Sequence, residues 1–390
     1  MLDAPSRSKT EPGLLDGIIV LDMSQFLSGP FAALRLSDLG ARVIKIERPD
    51  GGDLCRRLYL TDTELGGDST LFHAINRGKE SFTADFKNKD DLAAIQKLVA
   101  KADIIIQNFR PGVIERLGLD YQSVSKINSG IVYASITGYG ADGPWRDLPG
   151  QDLLAQARSG LMWLNGDADQ GPVPFGLAVA DLLAGNAVVQ GLLAGLVRRG
   201  RSGKGAFIET SLLEALLDFQ FEVLTTHLND GGRLPQRSRF RNAHAYLAAP
   251  YGVYQCADRW LAIAMTPLDT LGALIGLPEI TNLPRSDAFT DRDAIKHFIA
   301  NHLITGSVSH WLSILEPADV WCAEVLDWPG LMNNDAFRKL SMLQTVNRED
   351  GLSIHTTSCP IRVDGGRQYN SSAAPRIGEH NSRIRAEFGL

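Results

Sequence analysis

Asp181 is the carboxylate whose surroundings in the sequence most invite chemistry. It lies within GLAVADLLAGNAVV (176–189), between an apolar approach and an apolar helix. Aspartate is a favoured N-cap, so a purely structural role is open. A carboxylate at a helix N-terminus is also held ionised by the helix dipole. Ala178, Ala180, Ala184 and Gly185 are small and leave room beside it for a substrate. A second group is cationic: Lys45, Arg48, Arg77, Lys79, Arg110 and Arg116 recur where expected strands end. Singly each is an ordinary solvated charge. Gathered at one edge of a sheet, they could hold a polyanion such as a phosphorylated nucleotide.

Other motifs point away from familiar chemistries. GYGADG (138–143) has GxGxxG spacing, but Pro144, Trp145, Arg146 and Asp147 follow it and no periodic helix begins. A nicotinamide or flavin fingerprint needs that helix, so a glycine turn letting backbone approach a ligand is the better reading. RSGKGA (201–206) lacks the upstream glycine and the following Ser or Thr of a P-loop, and reads as a helix C-terminal turn. There is no GxSxG elbow and no HExxH. Cys55, Cys256, Cys322 and Cys359 form no CxxC pair, so neither a disulfide framework nor a zinc site is expected. Cys359 lies four residues after His355, with Pro360 next, and reads as an incidental thiol.

These groups must be held by a scaffold of some size. The chain has 390 residues, 44% hydrophobic and 22% charged, with a net charge of −6. That composition fits a soluble globular protein of at least two domains and gives no general basic surface for nucleic acid. The polar N-terminus lacks the apolar core of a signal peptide. The apolar stretch Pro174–Val197 is broken by Asp181, Asn186 and glycines, and is expected to be a buried helix rather than a membrane span. A reducing, cytoplasmic setting is expected.

In the first half, strand signals at 17–22 (GIIVLD), 42–47, 81–86, 103–107 and 131–136 alternate with helical segments, notably 88–102. Such alternation predicts parallel βαβ units in a doubly wound α/β sheet. Its ligand is expected beyond the carboxyl ends of the strands, at 24–30, 48–53, 108–112 and 137–144. After residue 150 long helices take over, with Asp181–Arg199 at helical spacing. Residues 229–244 read as a polar linker, and a strand pair turning at Asp258-Arg259 opens a smaller domain.

GIIVLDMSQFLSGPFAALRLSDLGARVIKIERPDGGD resembles the N-terminal signature of the class III CoA-transferases, the CaiB/BaiF family. NRGKESFTADF, ADIIIQNFRPGVIERLGLDY, IVYASITGYGADGPW, PVPFGLAVADLLAGNAVVQGLLAGLVRRGRSGKG and TSLLEALL extend the resemblance over nearly the whole chain. It implies a large Rossmann-like domain (1–228), a smaller α+β domain with linkers (229–320), a C-terminal segment returning to the large domain (321–390), and an interlocked-ring homodimer. The glycine excess, 38 residues, suits close chain crossings. The resemblance also implies CoA transfer from an acyl-CoA to a carboxylic acid, with no metal, NAD or flavin and with neither nucleic acid nor membrane as partner. Asp181 falls at the place of the catalytic aspartate. CoA contacts are implied at Phe26, Leu27, Arg48, Asn76, Arg77, Lys79, Asn108, Phe109, Arg110, Val113, Arg116, Thr137, Gly138 and Tyr139.

Leu27 and Thr137 depart from the glutamine and lysine of formyl-CoA:oxalate transferases, which speaks against oxalate. A larger acyl or dicarboxylic acid is expected instead, with Arg239, Arg241 or His244 as carboxylate partners. The sister α-methylacyl-CoA racemases need a histidine before an aspartate, whereas this chain reads Gly150-Gln151-Asp152. A glutamine amide does not titrate, so a racemase would rest on Asp152 alone. A non-catalytic CoA-binding protein is the remaining alternative.

Overall fold

The computed structural model describes residues 13–284 and 286–390. The polar stretch expected not to be a signal peptide lies largely outside them, at positions 1–12. The chain divides into two compact units. The first takes residues up to Ala155, Ala178–Leu216 and Lys339–Leu390; the second takes Gln156–Leu177 and Leu217–Arg338.

The first unit is built on six strands: β1 (Ile19–Asp22), β2 (Arg42–Glu47), β3 (Lys79–Thr83), β4 (Ile104–Gln107), β5 (Val132–Thr137) and β6 (Ala206–Ser211). Their order is β3-β2-β1-β4-β5-β6 and every pairing is parallel. The apolar runs IVLD and IIIQ are almost wholly buried, as central strands covered on both faces must be. Strand order reverses between β1 and β4, and a doubly wound sheet opens its ligand crevice there.

Helix α1 (Ser28–Asp38) follows β1, α2 (Thr70–Asn76) precedes β3, α3 (Lys89–Val99) links β3 to β4, and α4 (Val113–Arg116) and α5 (Tyr121–Ile127) link β4 to β5. Then come α6 (Asp152–Ser159) and α7 (Val179–Ser202), which ends at Gly203 in the left-handed conformation, as expected of RSGKGA, whereas Gly200, expected to be left-handed too, lies within the helix. By length and composition α7 could cross a membrane. It packs on α1, β5 and β6. At the C-terminus a hairpin, Leu343–Asn347 with Ser353–Thr357, precedes a last helix, Asn381–Phe388. That helix covers the open edge of β3: Asn381 accepts from the Thr83 N–H and donates to its hydroxyl, and Arg42 joins Glu80 to Glu387. Covering an edge strand removes a template for aggregation.

Helix α8 (Leu212–Phe219) begins in the first unit and ends in the second, which holds α9 (Phe221–Asn229) and a three-stranded antiparallel sheet, Gly252–Gln255, Trp260–Ile263 and Cys322–Glu324. Its core centres on Tyr254, Leu261, Leu271, Ile299 and Trp311. The division departs from the expected boundaries at three places. The strand at 322–324, expected to begin the return to the large domain, pairs with Trp260–Ile263, and the return begins at Lys339. The second unit starts at Leu217 rather than 229, and it also takes 156–177. The cause is long-range hydrogen bonding. Arg237 donates to the carbonyls of Asn165 (2.6 Å) and Gln170 (2.7 Å), and Asn242 donates to Asp167 (2.7 Å) and Leu164 (3.1 Å). The segment 229–244 is therefore pinned to 156–177 and is no free linker.

Candidate active site

The loop between β1 and α1 is held by many contacts from the rest of the first unit. Phe26 has φ of 64°, a left-handed conformation that an aromatic residue adopts only under constraint. The constraints come from β2, β4 and the turn after β2. Asp53 accepts from the Phe26 N–H (3.2 Å), Lys45 donates to the Ser24 carbonyl (3.0 Å), and Asp22 accepts from the Ser24 N–H and hydroxyl. Asn108, just beyond β4, clamps Gln25 at both its N–H (2.8 Å) and its carbonyl (2.7 Å). Asn108 thus ties together the two strand ends where the sheet order reverses. Beneath the loop lies a fully buried set of two acids and two lysines, with Lys45–Asp53 at 2.7 Å and Lys79–Asp22 at 2.8 Å. Backbone strain that so many contacts over-determine is characteristic of functional loops. Phe26 itself is 46% exposed.

Directly after this loop, Ser28 opens α1, and Asp181 meets it from α7. Ser28, through its hydroxyl and backbone N–H, favours the ionised form of the Asp181 carboxylate. The two helices come this close because Gly185, one turn after Asp181 on the same face, has no side chain. A Cβ there would lie 2.8 Å from both the Phe31 ring and the Ser28 carbonyl. Gly185 was expected to leave space for substrate; its space is filled by α1 instead. Gly185→Ala is expected to lower stability by about 1–3 kcal/mol and to cut kcat by roughly tenfold or more by shifting Asp181 off Ser28. Thermal melting with a transfer assay checks this, and two unchanged values would sink the argument.

Asp181 is not the N-cap the sequence suggested. The N-cap is Ala178, which offers no side-chain acceptor, and Asp181 is the third helical residue. The acceptor comes from outside the helix. Asp152, the first residue of α6 and itself buried, accepts from the backbone N–H groups of Ala180 (2.7 Å) and Asp181 (3.2 Å). Burial first, and then the charge of Asp152, push the Asp181 carboxyl up to about 6 against the opposing Ser28 hydrogen bonds. Ser28 was missed as a member of this site, and Asp152 was considered only as a racemase's proton-transfer group, not as a neighbour of Asp181. Neither is near Asp181 in sequence, and nothing in S-G-P or Q-D announces the contact.

The residues implied as CoA contacts fall into three settings. Arg48, Arg110 and Arg116 are exposed near the carboxyl ends of β2 and β4. Arg48 reaches only the Gly52 carbonyl (3.3 Å), and Arg116 lies over left-handed Gly112, with partly buried Val113 between them in the chain. A second set shapes loops. Leu27 caps α1 and packs beside Phe72 and Ile75, and Phe109 packs edge-on against Phe86. The Thr137 hydroxyl accepts from the Gly140 N–H (2.8 Å), and Tyr139 donates to the Pro149 carbonyl (3.1 Å). A Cβ on Gly138 would sit 2.4 Å from the Gly150 Cα, so these glycines close the loop by direct backbone contact. No helix begins between 138 and 151, in keeping with the absence of a dinucleotide fingerprint.

The third set departs from expectation. Asn76, Arg77 and Lys79 are buried, with their polar groups turned inward. Arg77 forms a two-pronged pair with Asp38 (2.5 and 3.1 Å), Lys79 bonds Asp22, Asn76 and the Pro30 carbonyl, and the Asn76 amide donates to the Phe72 carbonyl. Their place in the structure is beneath the ligand edge, supporting it. In the second unit, Arg239 lies on the wall of a cleft of about 1030 Å³. Arg241 stacks on Trp260 at 4.2 Å, and His244 is 3.8 Å from Glu222.

Known proteins match this chain along nearly its whole length. The profile of CoA-transferase family III matches residues 15–381. The chain is 34% identical over 385 residues to the acetyl-CoA:oxalate CoA-transferase of Acetobacter aceti, with 96% of each chain covered. It is 31% identical over 402 residues to the succinate–glutarate CoA-transferase of Agrobacterium fabrum, covering 100% of this chain and 98% of that one. Among solved structures, a CaiB/BaiF family protein from Brucella suis superposes with a TM-score of 0.83 at 30% identity, covering 97% of this chain and 100% of that one.

Proposed function

The chain belongs to CoA-transferase family III and transfers CoA, and from that premise we propose that it does so by covalent catalysis on Asp181. The observation that carries this reading is the Asp181 carboxylate itself, set where the N-termini of α1 and α7 cross closely and made more basic by burial and by Asp152. A carboxylate is a weak nucleophile, and raised basicity strengthens it.

In the first step an Asp181 oxygen attacks the carbonyl carbon of the donor thioester. The C–S bond breaks, CoA leaves as thiolate, and a mixed anhydride joins the acyl group to Asp181. The thiolate then attacks the aspartyl carbonyl carbon, expelling the donor acid as its carboxylate and leaving an aspartyl-CoA thioester. The acceptor carboxylate attacks that carbonyl and releases thiolate again. The thiolate takes the acyl group from the new anhydride and restores Asp181. Each step develops an oxyanion, for which the Gly29 N–H at the start of α1, next to Pro30, is the proposed donor, aided by the helix dipole.

CoA is assigned to the switch point between β1 and β4. Arg48, Arg110 and Arg116 serve its phosphates, and Phe26 and Leu27 lie nearest the thioester. The relatives named above act on oxalate, succinate or glutarate, all dicarboxylic acids, and a dicarboxylic acid is the proposed acceptor class. The protein is further proposed to be a cytoplasmic, interlocked homodimer. The large apolar side chains left exposed, Trp328 (76%), Leu228 (70%) and Phe221 (68%), support a partner subunit. The test is to incubate the protein with an acyl-CoA panel, trap with hydroxylamine and locate the mass change. Modification at Asp181 is expected, and a turning-over enzyme never modified there would overturn the mechanism.

A further inference from the structure

We propose that Asp152 is a positioning residue for the nucleophile, seating the first turn of α7 through two backbone amides and, by its charge, favouring the acylated over the free form of Asp181. This rests on the reading of Asp181 as nucleophile and extends it.

The geometry comes first. The opening N–H groups of a helix need acceptors, and the N-cap residue usually supplies one. In α7 the N-cap is Ala178, which has none to give. The acceptor is the Asp152 carboxylate, whose Oδ2 takes the N–H groups of Ala180 at 2.7 Å and Asp181 at 3.2 Å. Asp152 is only 7% exposed, so the contact is built into the interior. It belongs to α6, twenty-eight residues before Ala180, and so joins two elements that meet only in the folded chain.

The chemistry follows. A neutral acceptor such as serine or asparagine would cap the turn equally well. A second carboxylate adds a like charge beside Asp181, and two such groups resist being ionised together. Acylation removes the charge of Asp181, because the mixed anhydride and the thioester are both neutral at that oxygen. Repulsion from Asp152 is thereby relieved at each covalent stage and restored when Asp181 is freed. The groups acting on Asp181 are Asp152 from α6 and Ser28 from α1, with burial raising its proton affinity alongside Asp152.

Asp152→Asn and Asp152→Ser both keep an acceptor for the turn and remove the charge. Both are expected to retain the fold, with melting temperatures near wild type. The acid limb of the kcat profile should move down by roughly one pH unit. The fraction of enzyme trapped at Asp181 by hydroxylamine under steady turnover should fall by about fivefold or more. Asp152→Ala, which also removes the acceptor, should lose kcat by a further tenfold while KM for the acyl-CoA changes less than threefold. Acid limbs and trapped fractions equal to wild type in both charge-free variants would overturn the proposal, as would loss of fold in both, which would make Asp152 a structural cap alone. Absence of any trapped Asp181 in the wild type would overturn the nucleophile reading itself, so the two failures are distinguishable.

Discussion

Asp181→Asn is expected to lower kcat for CoA transfer by roughly 10³-fold or more, the scale on which removal of a covalent nucleophile acts. The substitution keeps the volume, so the helix crossing at Gly185 should persist. It also removes a carboxylate that burial and Asp152 disfavour as an anion. The variant should therefore be at least as stable as wild type at pH 7, by up to about 1 kcal/mol. Loss of turnover with retained or increased thermal stability and unchanged CoA binding is the signature of a group strained for function. In the wild type the same carboxylate must be ionised to attack. Its folded value lies at about 6, so turnover should decline as pH falls through that region, well above where an ordinary aspartate titrates. A variant retaining turnover within tenfold of wild type would remove Asp181 from the mechanism.

The second large effect is one of stability. Arg77→Ala should destabilise the protein by about 3–5 kcal/mol, since it breaks a buried two-pronged pair and leaves Asp38 with only the partly exposed Arg35 (3.1 Å). KM for acyl-CoA in the folded fraction should change little. Arg48→Ala, at an exposed position, should do the reverse, leaving the melting temperature alone and raising KM by roughly tenfold. Denaturant unfolding beside steady-state kinetics separates the two. A higher KM without lost stability in Arg77→Ala would restore it as a nucleotide contact.

These two arginines show how far sequence reasoning reached. Both are cations near the ends of expected strands, and the resemblance assigned both to CoA. Position along the chain cannot distinguish a cation facing solvent from one turned under the sheet. That depends on whether an acid on another element, here Asp38 at the end of α1, waits within reach. The same holds for Lys79, absorbed by Asp22 and the Pro30 carbonyl, and for Asn76, which accepts from Lys79 and donates to the Phe72 carbonyl.

Period and composition were enough for the strands of the doubly wound sheet, the long helix carrying Asp181, the glycine turn after β5 and the left-handed stop at Gly203. Each is set by local hydrophobic spacing or by a single residue's backbone freedom, and such signals lie within a few residues of where they act. The strained Phe26 loop, the crossing at Gly185, the division at Leu217 and Lys339 and the cap on α7 come from contacts between elements tens to hundreds of residues apart. The proposed nucleophile was therefore visible as a residue. Its raised proton affinity, set by burial and by Asp152 on another helix, came into being only when packing excluded water and brought the two carboxylates together.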